Sequence, residues 1–187
     1  FKNIKLLDIG CGGGLLSEPM AKLGAKVTGL DVVEKNIKTA STHAESQELD
    51  INYVHSTVED ISDKKDKFDV ILNMEVIEHV SDVNLFINSC SKVLSSNGIM
   101  VFASLNRTLI SYGLAIIGVE YILGWLPRGT HDWSKFITPD ELKIFFSSNG
   151  LKIDEIIGMK YNPLFDSWSR SKDLSVNYLG VSSKINS

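Results

Sequence analysis

The chain has 187 residues, of which 43% are hydrophobic, and carries a formal net charge of −4 at pH 7. This length and composition suit one globular domain over residues 1–187. The acidic balance, without a basic run longer than two residues, argues against nucleic acid as a partner. Cys11 and Cys90 lack metal-ligand spacing, and no signal peptide is visible, so we expect a reducing, cytoplasmic compartment.

The first predicted strand, residues 4–9, ends in a glycine-rich turn with four glycines among residues 10–14. A helix is predicted at 14–23, and a second strand at 26–31 ends at Asp31, which is 21 positions after Gly10. Strand, glycine turn, helix, strand and acid are the layout of a nucleotide-binding βαβ unit. An acid at the end of the second strand can accept hydrogen bonds from both hydroxyls of a ribose.

The glycine spacing favours one class of nucleotide over another. A dinucleotide-binding fingerprint needs glycine at position 15, where this chain has Leu15. The pattern Asp8-x-Gly10-x-Gly12-x-Gly14 instead resembles the first motif of class I S-adenosylmethionine (SAM) methyltransferases. SAM has no pyrophosphate, so the loop need only wrap methionine and ribose, and the Asp8 carboxylate suits a site for two cationic groups. A glycine turn that merely closes a βα unit is the alternative.

Alternation of strands and helices continues along the chain. Further strands are predicted at 51–55, 68–74 and 99–105, the last after a turn at Asn97-Gly98, and further helices at 34–46, 82–95 and 139–148. The last helix begins with a capping box formed by Thr138 and Glu141, with Pro139 as its first residue. This alternation is typical of a parallel sheet that is covered by helices on both faces.

Two final strands, at 151–160 and 174–183, have no helix between them, so we expect them to pair antiparallel. A parallel sheet that ends in such a hairpin resembles the seven-stranded methyltransferase layout. The fold class expected is therefore α/β and Rossmann-like, with a seven-stranded, mostly parallel sheet, an antiparallel last strand and helices on both faces.

Ligands of open α/β sheets lie beyond the carboxyl ends of the strands. In methyltransferases the segment after strand 3 usually carries an Asp that contacts the adenine amino group, followed by a backbone amide that contacts the ring. Thr57 and Val58 hold these positions, so only the backbone contact is expected to be retained. At the end of strand 4, the carbonyl of Met74 would accept from the methionine ammonium, whereas its apolar side chain is equally consistent with core packing.

The segment after strand 4 carries Glu75, Glu78 and His79, spaced i, i+3 and i+4. On one helical turn these side chains point the same way, and two carboxylates with an imidazole can hold Mg²⁺ or another divalent cation. The alternative is that Glu78 and His79 cap the next element or hydrogen-bond nearby backbone.

Taken with these segments, five later motifs resemble the ubiquinone-biosynthesis O-methyltransferase family: Ser104-Leu105-Asn106-Arg107, Val119-Glu120-Tyr121-Ile122-Leu123, Gly129-Thr130-His131-Asp132-Trp133, Tyr161-Asn162-Pro163 and Val176-Asn177-Tyr178. The resemblance covers essentially the whole chain. It implies a polyprenylated quinol or phenol as substrate, SAM contacts at Gly10, Asp31 and Met74, and metal binding by Glu75, Glu78 and His79. It also implies assembly with other ubiquinone-biosynthesis enzymes. The resemblance further implies a segment before strand 1, with an arginine at the SAM carboxylate, as family members carry.

Methyl transfer to a phenol needs a phenolate, and a phenol with a pKa of about 10 is mostly protonated at neutral pH. A metal on the ring oxygens would lower that pKa, or a histidine would take the proton. His79 and His131 are the candidates for this catalytic base. His43 and His55 are interpreted as a surface residue and a sheet-edge residue.

Residues 107–136 interrupt the regular alternation as an insertion. The apolar run 109–126 contains a single charge, Glu120, and three glycines, and is short for a membrane span of about 20 residues. We predict a lid that is partly buried and partly a peripheral contact with the inner membrane, through Tyr121 and Trp125, with Arg107, Arg128 and Lys135 near lipid head groups. Two alternatives to the overall function remain: a SAM methyltransferase for another small molecule, and a non-catalytic nucleotide-binding module.

Overall fold

The computed structural model describes residues 1–114, 132–162 and 165–185. Within these residues eight strands form one continuous sheet in the order β3-β2-β1-β4-β5-β8-β6-β7. Their bounds are β1 Lys5–Ile9, β2 Lys26–Asp31, β3 Ile51–His55, β4 Phe68–Met74, β5 Leu94–Leu105, β6 Leu151–Asn162, β7 Ser167–Ser171 and β8 Asn177–Lys184.

Strands β1 to β5 pair in parallel, whereas β8 lies antiparallel between β5 and β6. The predicted fold class and the antiparallel pairing of the two final long strands are therefore confirmed. The strand count is the exception, because the sheet has eight strands and not seven. The extra strand, β7, has the sequence SWSRS with no apolar alternation, and it forms only as an edge partner for the last residues of β6.

The α-helices of the described residues are α1 Ser17–Lys22, α2 Glu34–Ser46, α3 Val58–Ile61, α4 Val83–Val93, α5 Leu109–Ser111 and α6 Pro139–Ser148. Short 3-10 turns lie at Ile77–His79 and Trp133–Lys135. Helix α1 begins three residues later than predicted, since residues 14–16 complete the turn after the glycines. The sequence pattern also missed α3, which is too short for helical periodicity to show.

Strand β5 begins at Leu94, five residues before the predicted start at Ile99, so the expected turn at Asn97-Gly98 is wrong. The pairing with β4 jumps from Phe68↔Leu94 to Val70↔Ile99, so the extra residues form an irregularity within the strand. Gly98 permits the close approach there, because a Cβ at this position would lie 3.0 Å from the carbonyl oxygens of Phe68 and Asp69.

The sheet has an apolar layer on each face, which explains why its central strands read as continuous apolar runs. One layer is large and takes in residues of α4 and α6, such as Phe86, Cys90 and Phe146. The other is smaller and packs Met20 of α1 against β-strand residues such as Leu6. Helices therefore cover both faces, as predicted.

The two ends of the insertion are tied together at the carboxyl end of β5. The Arg107 guanidinium donates to the carbonyl of Phe136, Nη1 to O 3.1 Å, and pairs with Glu141. The Trp133 indole donates to the carbonyl of Thr108 at 2.9 Å. In the part of the chain that the structure describes, no helix is long and apolar enough to span a bilayer.

Candidate active site

A cavity of about 570 Å³ lies beyond the carboxyl ends of β1 to β4. This is the edge of the sheet where ligands of open α/β folds bind, and the volume is in the range of small-molecule sites. The described residues that line it are Ile9, Gly10, Leu30, Asp31, Val32, Val33, Asn36, Ser56, Thr57, Val58, Glu59, Glu75, Val76, His79, Val80, Ser81, Asp82, Leu85 and Phe86.

Asp31 organises the loops at the head of this cavity. Its Oδ2 accepts from the Gly12 amide at 2.9 Å, and its Oδ1 accepts from the Val33 amide at 2.8 Å and from the Asn36 side chain at 3.3 Å. A carboxylate offers about four acceptor sites, and three are used here, so about one is left for a ribose hydroxyl. Gly12 is not among the described lining residues, and its amide contributes to the site by holding the Asp31 carboxylate. Asn36 was missed by the sequence analysis, although it lies in the first turn of the helix that follows Asp31.

The glycines of the loop serve two kinds of contact. Gly10 lines the cavity with φ +68°, and a Cβ there would lie 2.6 Å from Val76, which packs directly over it. Gly14 has φ +88°, and its Cβ would collide with the hydroxyl of Tyr53 on the opposite face of the sheet. Gly10 therefore fits the loop to the turn that follows β4, whereas Gly14 is required by a packing partner beneath the loop.

Asp8 lies away from the cavity. Side chains alternate across a strand, so Ile9 lines the cavity while Asp8 is buried on the other face and accepts from Ser17 Oγ at 2.6 Å. Burial raises the pKa of Asp8 to about 6, despite the opposing hydrogen bonds from Ser17. Burial also raises the pKa of the nearby Cys11 thiol to about 12, so this thiol stays protonated well above neutral pH.

Thr57 and Val58 both line the cavity, as their predicted role requires. The Thr57 hydroxyl is engaged in the capping box of α3, donating to Asp60 Oδ2 at 2.9 Å and accepting from the Asp60 amide at 3.2 Å. The Val58 amide is the first of α3 and belongs to the four amides that a helix leaves without an intrahelical partner. This geometry suits a main-chain contact to a ligand better than a side-chain contact.

Met74 ends β4 with its side chain in the smaller apolar layer, on the face opposite the cavity. It is not among the described lining residues, so its side chain has the packing role that the sequence left open. The predicted acceptance by its main-chain carbonyl stays a prediction.

The turn after β4 separates the three predicted metal ligands. Glu75 and His79 line the cavity, but Glu78 is 2% exposed and its Oε2 accepts from Ser104 Oγ at 3.0 Å in the buried layer. Among the residues described, no group of three or more His, Cys, Asp or Glu side chains is arranged to hold a metal ion. A single 3-10 turn, and not a regular α-helix, spans Ile77–His79, so the assumed common face does not form. The three-ligand cation site therefore stays a prediction, and the arrangement of the described side chains does not support it.

The remaining histidines divide by position. His131 lies outside the described residues, so its catalytic role stays a prediction. His43 contacts the Glu18 carboxylate on the side of α1 and α2, and His55 contacts the carbonyl of Val32 at 3.0 Å. Of the histidines that the structure describes, His79 alone lines the cavity.

A family model described as a methyltransferase domain matches residues 7–102. A ubiquinone biosynthesis O-methyltransferase from Bartonella tribocorum is 58% identical over 179 residues, which covers 96% of this chain and 72% of that protein. A protein of the same name from Parvibaculum lavamentivorans is 53% identical over 184 residues, with 98% and 73% covered.

Solved structures share the fold at low sequence identity. Magnesium protoporphyrin IX methyltransferase from Synechocystis PCC 6803, with bound S-adenosylhomocysteine (SAH), has a TM-score of 0.70 and 19% identity, covering 98% of this chain and 75% of that one. A SAM-dependent methyltransferase from Methanosarcina mazei has a TM-score of 0.72 and 19% identity, with 100% and 95% covered.

The sheet order, the cavity at its carboxyl edge and the domain match define a class I SAM-dependent methyltransferase. SAM is accordingly the cofactor of this class of site. With relatives above 50% identity over nearly its whole length, the chain belongs to the ubiquinone biosynthesis O-methyltransferase family.

Proposed function

We propose that this chain transfers the methyl group of SAM to a phenolic hydroxyl on a polyprenylated ubiquinone precursor, of the demethylubiquinol and polyprenyl-hydroxyphenol class. Support comes from one observation above all: Asp31 and His79 line the same cavity, so a cofactor acid and a base lie in one site. The relatives are named for ubiquinone biosynthesis, which supplies the substrate class.

The cofactor would lie along the carboxyl edge of the sheet. Asp31 would accept from the ribose hydroxyls, Gly10 would give the chain of the methionine close access to the main chain, and the Val58 amide would meet the adenine ring. When bound, SAM supplies a methyl carbon that its sulfonium has already activated. The protein's share is therefore to hold the acceptor oxygen in line with that carbon and to remove its proton.

His79 is the residue we assign to proton removal. A phenol with a pKa near 10 is largely neutral at pH 7, and an imidazole with a pKa near 6.5 is the usual general base at that pH. His79 lines the cavity at the end of the turn after β4, and Asp82 and Leu85 also line it. His131 remains the second predicted base from the sequence.

No step of the transfer is assigned to a divalent cation. Glu75 and His79 lie at the cavity, but Glu78 is directed to Ser104, so the described side chains do not fit the three-ligand site. The cation nevertheless remains the prediction that the family resemblance makes, and chelation tests it directly.

The decisive experiment follows labelled methyl from SAM to a short-tailed demethylubiquinol analogue. We expect transfer by the wild type, a loss of about 100-fold or more in kcat for His79→Gln, and no change for the control His43→Gln on the far side of α2. Full transfer by His79→Gln would contradict the assigned base. No transfer by a wild type that binds SAH would contradict the substrate class and favour another small-molecule acceptor.

A chelator added to the same assay separates the two accounts of the phenolate. Transfer that is indifferent to the chelator supports proton removal by histidine alone. Transfer that the chelator abolishes and Mg²⁺ restores would require Glu75, Glu78 and His79 to converge on a cation, in contradiction to the arrangement of Glu78 described above.

We also propose that residues 107–136 form an insertion within one domain and contact a bilayer from its surface. The start of the insertion carries apolar side chains that solvent reaches, since Leu109 is 82% and Leu114 56% exposed. Arg107 is engaged with Phe136 and Glu141, so it contributes to fixing the insertion more than to binding lipid head groups. Tyr121, Trp125 and Arg128 lie outside the described residues.

Flotation with vesicles of phosphatidylethanolamine and phosphatidylglycerol tests this contact. We expect the wild type to float with the vesicles and the double variant Leu109→Glu, Ile110→Glu to remain unbound. Ile144→Glu is the control, because Ile144 is an apolar residue on α6 whose exposure, 64%, lies between those of Leu109 and Ile110. Equal flotation of all three proteins would contradict the proposed contact. Assembly with other ubiquinone-biosynthesis enzymes stays a prediction that co-purification would test.

A further inference from the structure

Ser104 and Glu78 form a buried contact next to the proposed active site. The Ser104 hydroxyl donates to Glu78 Oε2 at 3.0 Å, and the two residues are 1% and 2% exposed. A hydrogen bond to a carboxylate is stronger than one between neutral groups, and removing one partner in a buried place leaves the other poorly satisfied. On the neighbouring strand β8, Tyr178 pairs with Ser104, and its hydroxyl donates to the carbonyl of Ile137 at 2.9 Å.

The turn that carries Glu78 touches the rest of the site at two further points. The Glu75 amide donates to the carbonyl of Ala103 at 2.9 Å, one residue before Ser104 on the same strand. Val76 packs over Gly10 of the cofactor loop. Glu75 itself has φ +57°, a left-handed conformation that non-glycine residues adopt only where the surroundings hold them.

These contacts place the side chains of the turn on two sides. Glu75 and His79 line the cavity, whereas Ile77 and Glu78 are buried against the sheet. Because His79 follows Glu78 directly, the anchor of Glu78 on β5 limits where the imidazole can lie.

We propose that Ser104 is a positioning residue, which acts through Glu78 to hold the turn 75–79 so that His79 faces the substrate end of the cavity. This rests on the proposed function, in which His79 meets the acceptor hydroxyl. Ser104 itself touches neither substrate nor cofactor. Small displacements of a catalytic group lower the rate of reaction far more than the affinity for a cofactor that is bound elsewhere.

The test compares Ser104→Ala with Ser182→Ala. Ser182 is equally buried on the neighbouring strand β8, but its hydroxyl faces the main-chain carbonyl of Met100 at 3.5 Å and no carboxylate. For Ser104→Ala we expect kcat to fall about tenfold or more, with the KM for SAM and the SAH-induced rise in melting temperature within about twofold of wild type. Ser104→Thr, which keeps the hydroxyl, should recover most of the rate, and Ser182→Ala should match the wild type.

A double-mutant cycle shows whether Ser104 acts through Glu78. If it does, Ser104→Ala combined with Glu78→Ala is no slower than Glu78→Ala alone, and additive losses would overturn the proposal. Should Ser104→Ala fail to bind SAH, Glu78→Gln decides in its place, because an amide oxygen still accepts from the serine hydroxyl. A rate within about threefold of wild type supports the proposal, and a loss as large as that of Glu78→Ala contradicts it.

Hydrogen exchange gives a readout that needs no methyl transfer. The amides of residues 75–80 should exchange faster in Ser104→Ala than in the wild type or in Ser182→Ala. Unchanged exchange together with unchanged kcat would overturn the positioning role. A wild type that transfers no methyl to the quinol would contradict the proposed function alone. The exchange of amides 75–80 would still test whether Ser104 holds the turn.

Discussion

Two acidic residues of the first βαβ unit have opposite surroundings. Asp31 lines the cavity and accepts main-chain hydrogen bonds from Gly12 and Val33. Asp8 is 3% exposed on the other face of the sheet, where Ser17 is its hydrogen-bond donor. The difference comes from alternation along the strand, which directs Ile9 and not Asp8 toward the ligand edge. Asp8 therefore does not face the cavity, and it contributes to the glycine loop 10–14 by binding Ser17, the first residue of α1.

The first prediction concerns the pH dependence of stability. Burial raises the pKa of Asp8 from 3.8 to about 6, so the native state holds the proton more tightly than the unfolded chain does. Between about pH 4 and 6 this carboxyl lowers the free energy of unfolding as pH rises, by about 2–3 kcal/mol in total. Denaturant unfolding of wild type and Asp8→Asn should therefore diverge across this window, with the variant gaining relative stability up to pH 6 and a constant difference above it. Parallel curves from pH 4 to 7 would contradict the prediction.

The second prediction concerns Gly29, which the sequence analysis treated only as part of a strand. A Cβ at Gly29 would lie 2.6 Å from Cδ1 of Tyr53 and 3.0 Å from Sγ of Cys11. Gly29→Ala should therefore cost about 1–3 kcal/mol in the free energy of unfolding. Gly13→Ala is the control, because no atom lies within 4 Å of its added Cβ, and it should change stability much less. Equal effects would show that Tyr53 moves aside without cost.

At the scale of single elements, local signals were reliable where a short stretch supplies its own partners. Thr138, Pro139 and Glu141 form the predicted capping box at the start of α6, with Glu141 Oε2 accepting from the Thr138 amide at 2.9 Å. The turn after β4 is the opposite case. Its i, i+3, i+4 spacing predicted one shared face, but contacts with β5 and Gly10 hold it as a 3-10 turn that splits its acidic residues between the cavity and the core.

The third prediction tests the cap. Thr138→Ala removes the hydroxyl that accepts from the Glu141 amide, and Glu141 also pairs with Arg107 at the start of the insertion. We expect a loss of about 1 kcal/mol and a fall in melting temperature of about 2–4 °C. Thr39→Ala, at an exposed position inside α2, should be neutral or slightly stabilising, because alanine is the better helix former there. A neutral Thr138→Ala would show that water replaces the cap.

At the scale of the whole molecule, the parallel order β3-β2-β1-β4 brings residues that are far apart in the chain to one edge. Gly10, Asp31, Val58 and His79 lie at or after the carboxyl ends of four different strands and line one cavity. Strand β8 lies antiparallel between β5 and β6, and it places Tyr178 beside Ser104. Both residues belong to the buried part of the sheet that the turn 75–79 contacts through Glu78.

The fourth prediction tests this convergence through ligand binding. At 100 times its dissociation constant, SAH should stabilise the native state by about 2.7 kcal/mol and raise the melting temperature by roughly 5–10 °C, whereas NAD should not. Asp31→Ala should lose most of this rise. Glu34→Ala is the control, since Glu34 is an exposed acid whose ion pair with Lys38 lies on the surface of α2. A full SAH response in Asp31→Ala would contradict its assignment to the ribose.

Much of the fold could be predicted from the sequence, because its signals are local. The apolar runs, the glycine turn with its positive φ angles and the cap at Thr138 are each encoded within a few residues. The strands that bring Gly10 and Asp31 to the ligand edge were predicted for the same reason, whereas the short helix α3, which begins at Val58, was missed. Strand β7 could not be predicted, because a serine-rich segment becomes a strand only when the end of β6 is available to pair with it.

Only the tertiary structure decided which side chains reach the cavity. Alternation along the strands places the side chains of Asp8 and Met74 in buried layers, although the Asp8 carboxylate was assigned to the cofactor from sequence and the Met74 side chain was left open. The hydroxyl of Ser104, 26 residues after Glu78, donates to that carboxylate in the buried layer, whereas Glu75 and His79 line the cavity. Spacing within a motif does not determine which face of the sheet a side chain meets or which residue it contacts. Both depend on pairing between strands that are distant in the chain and adjacent in the sheet.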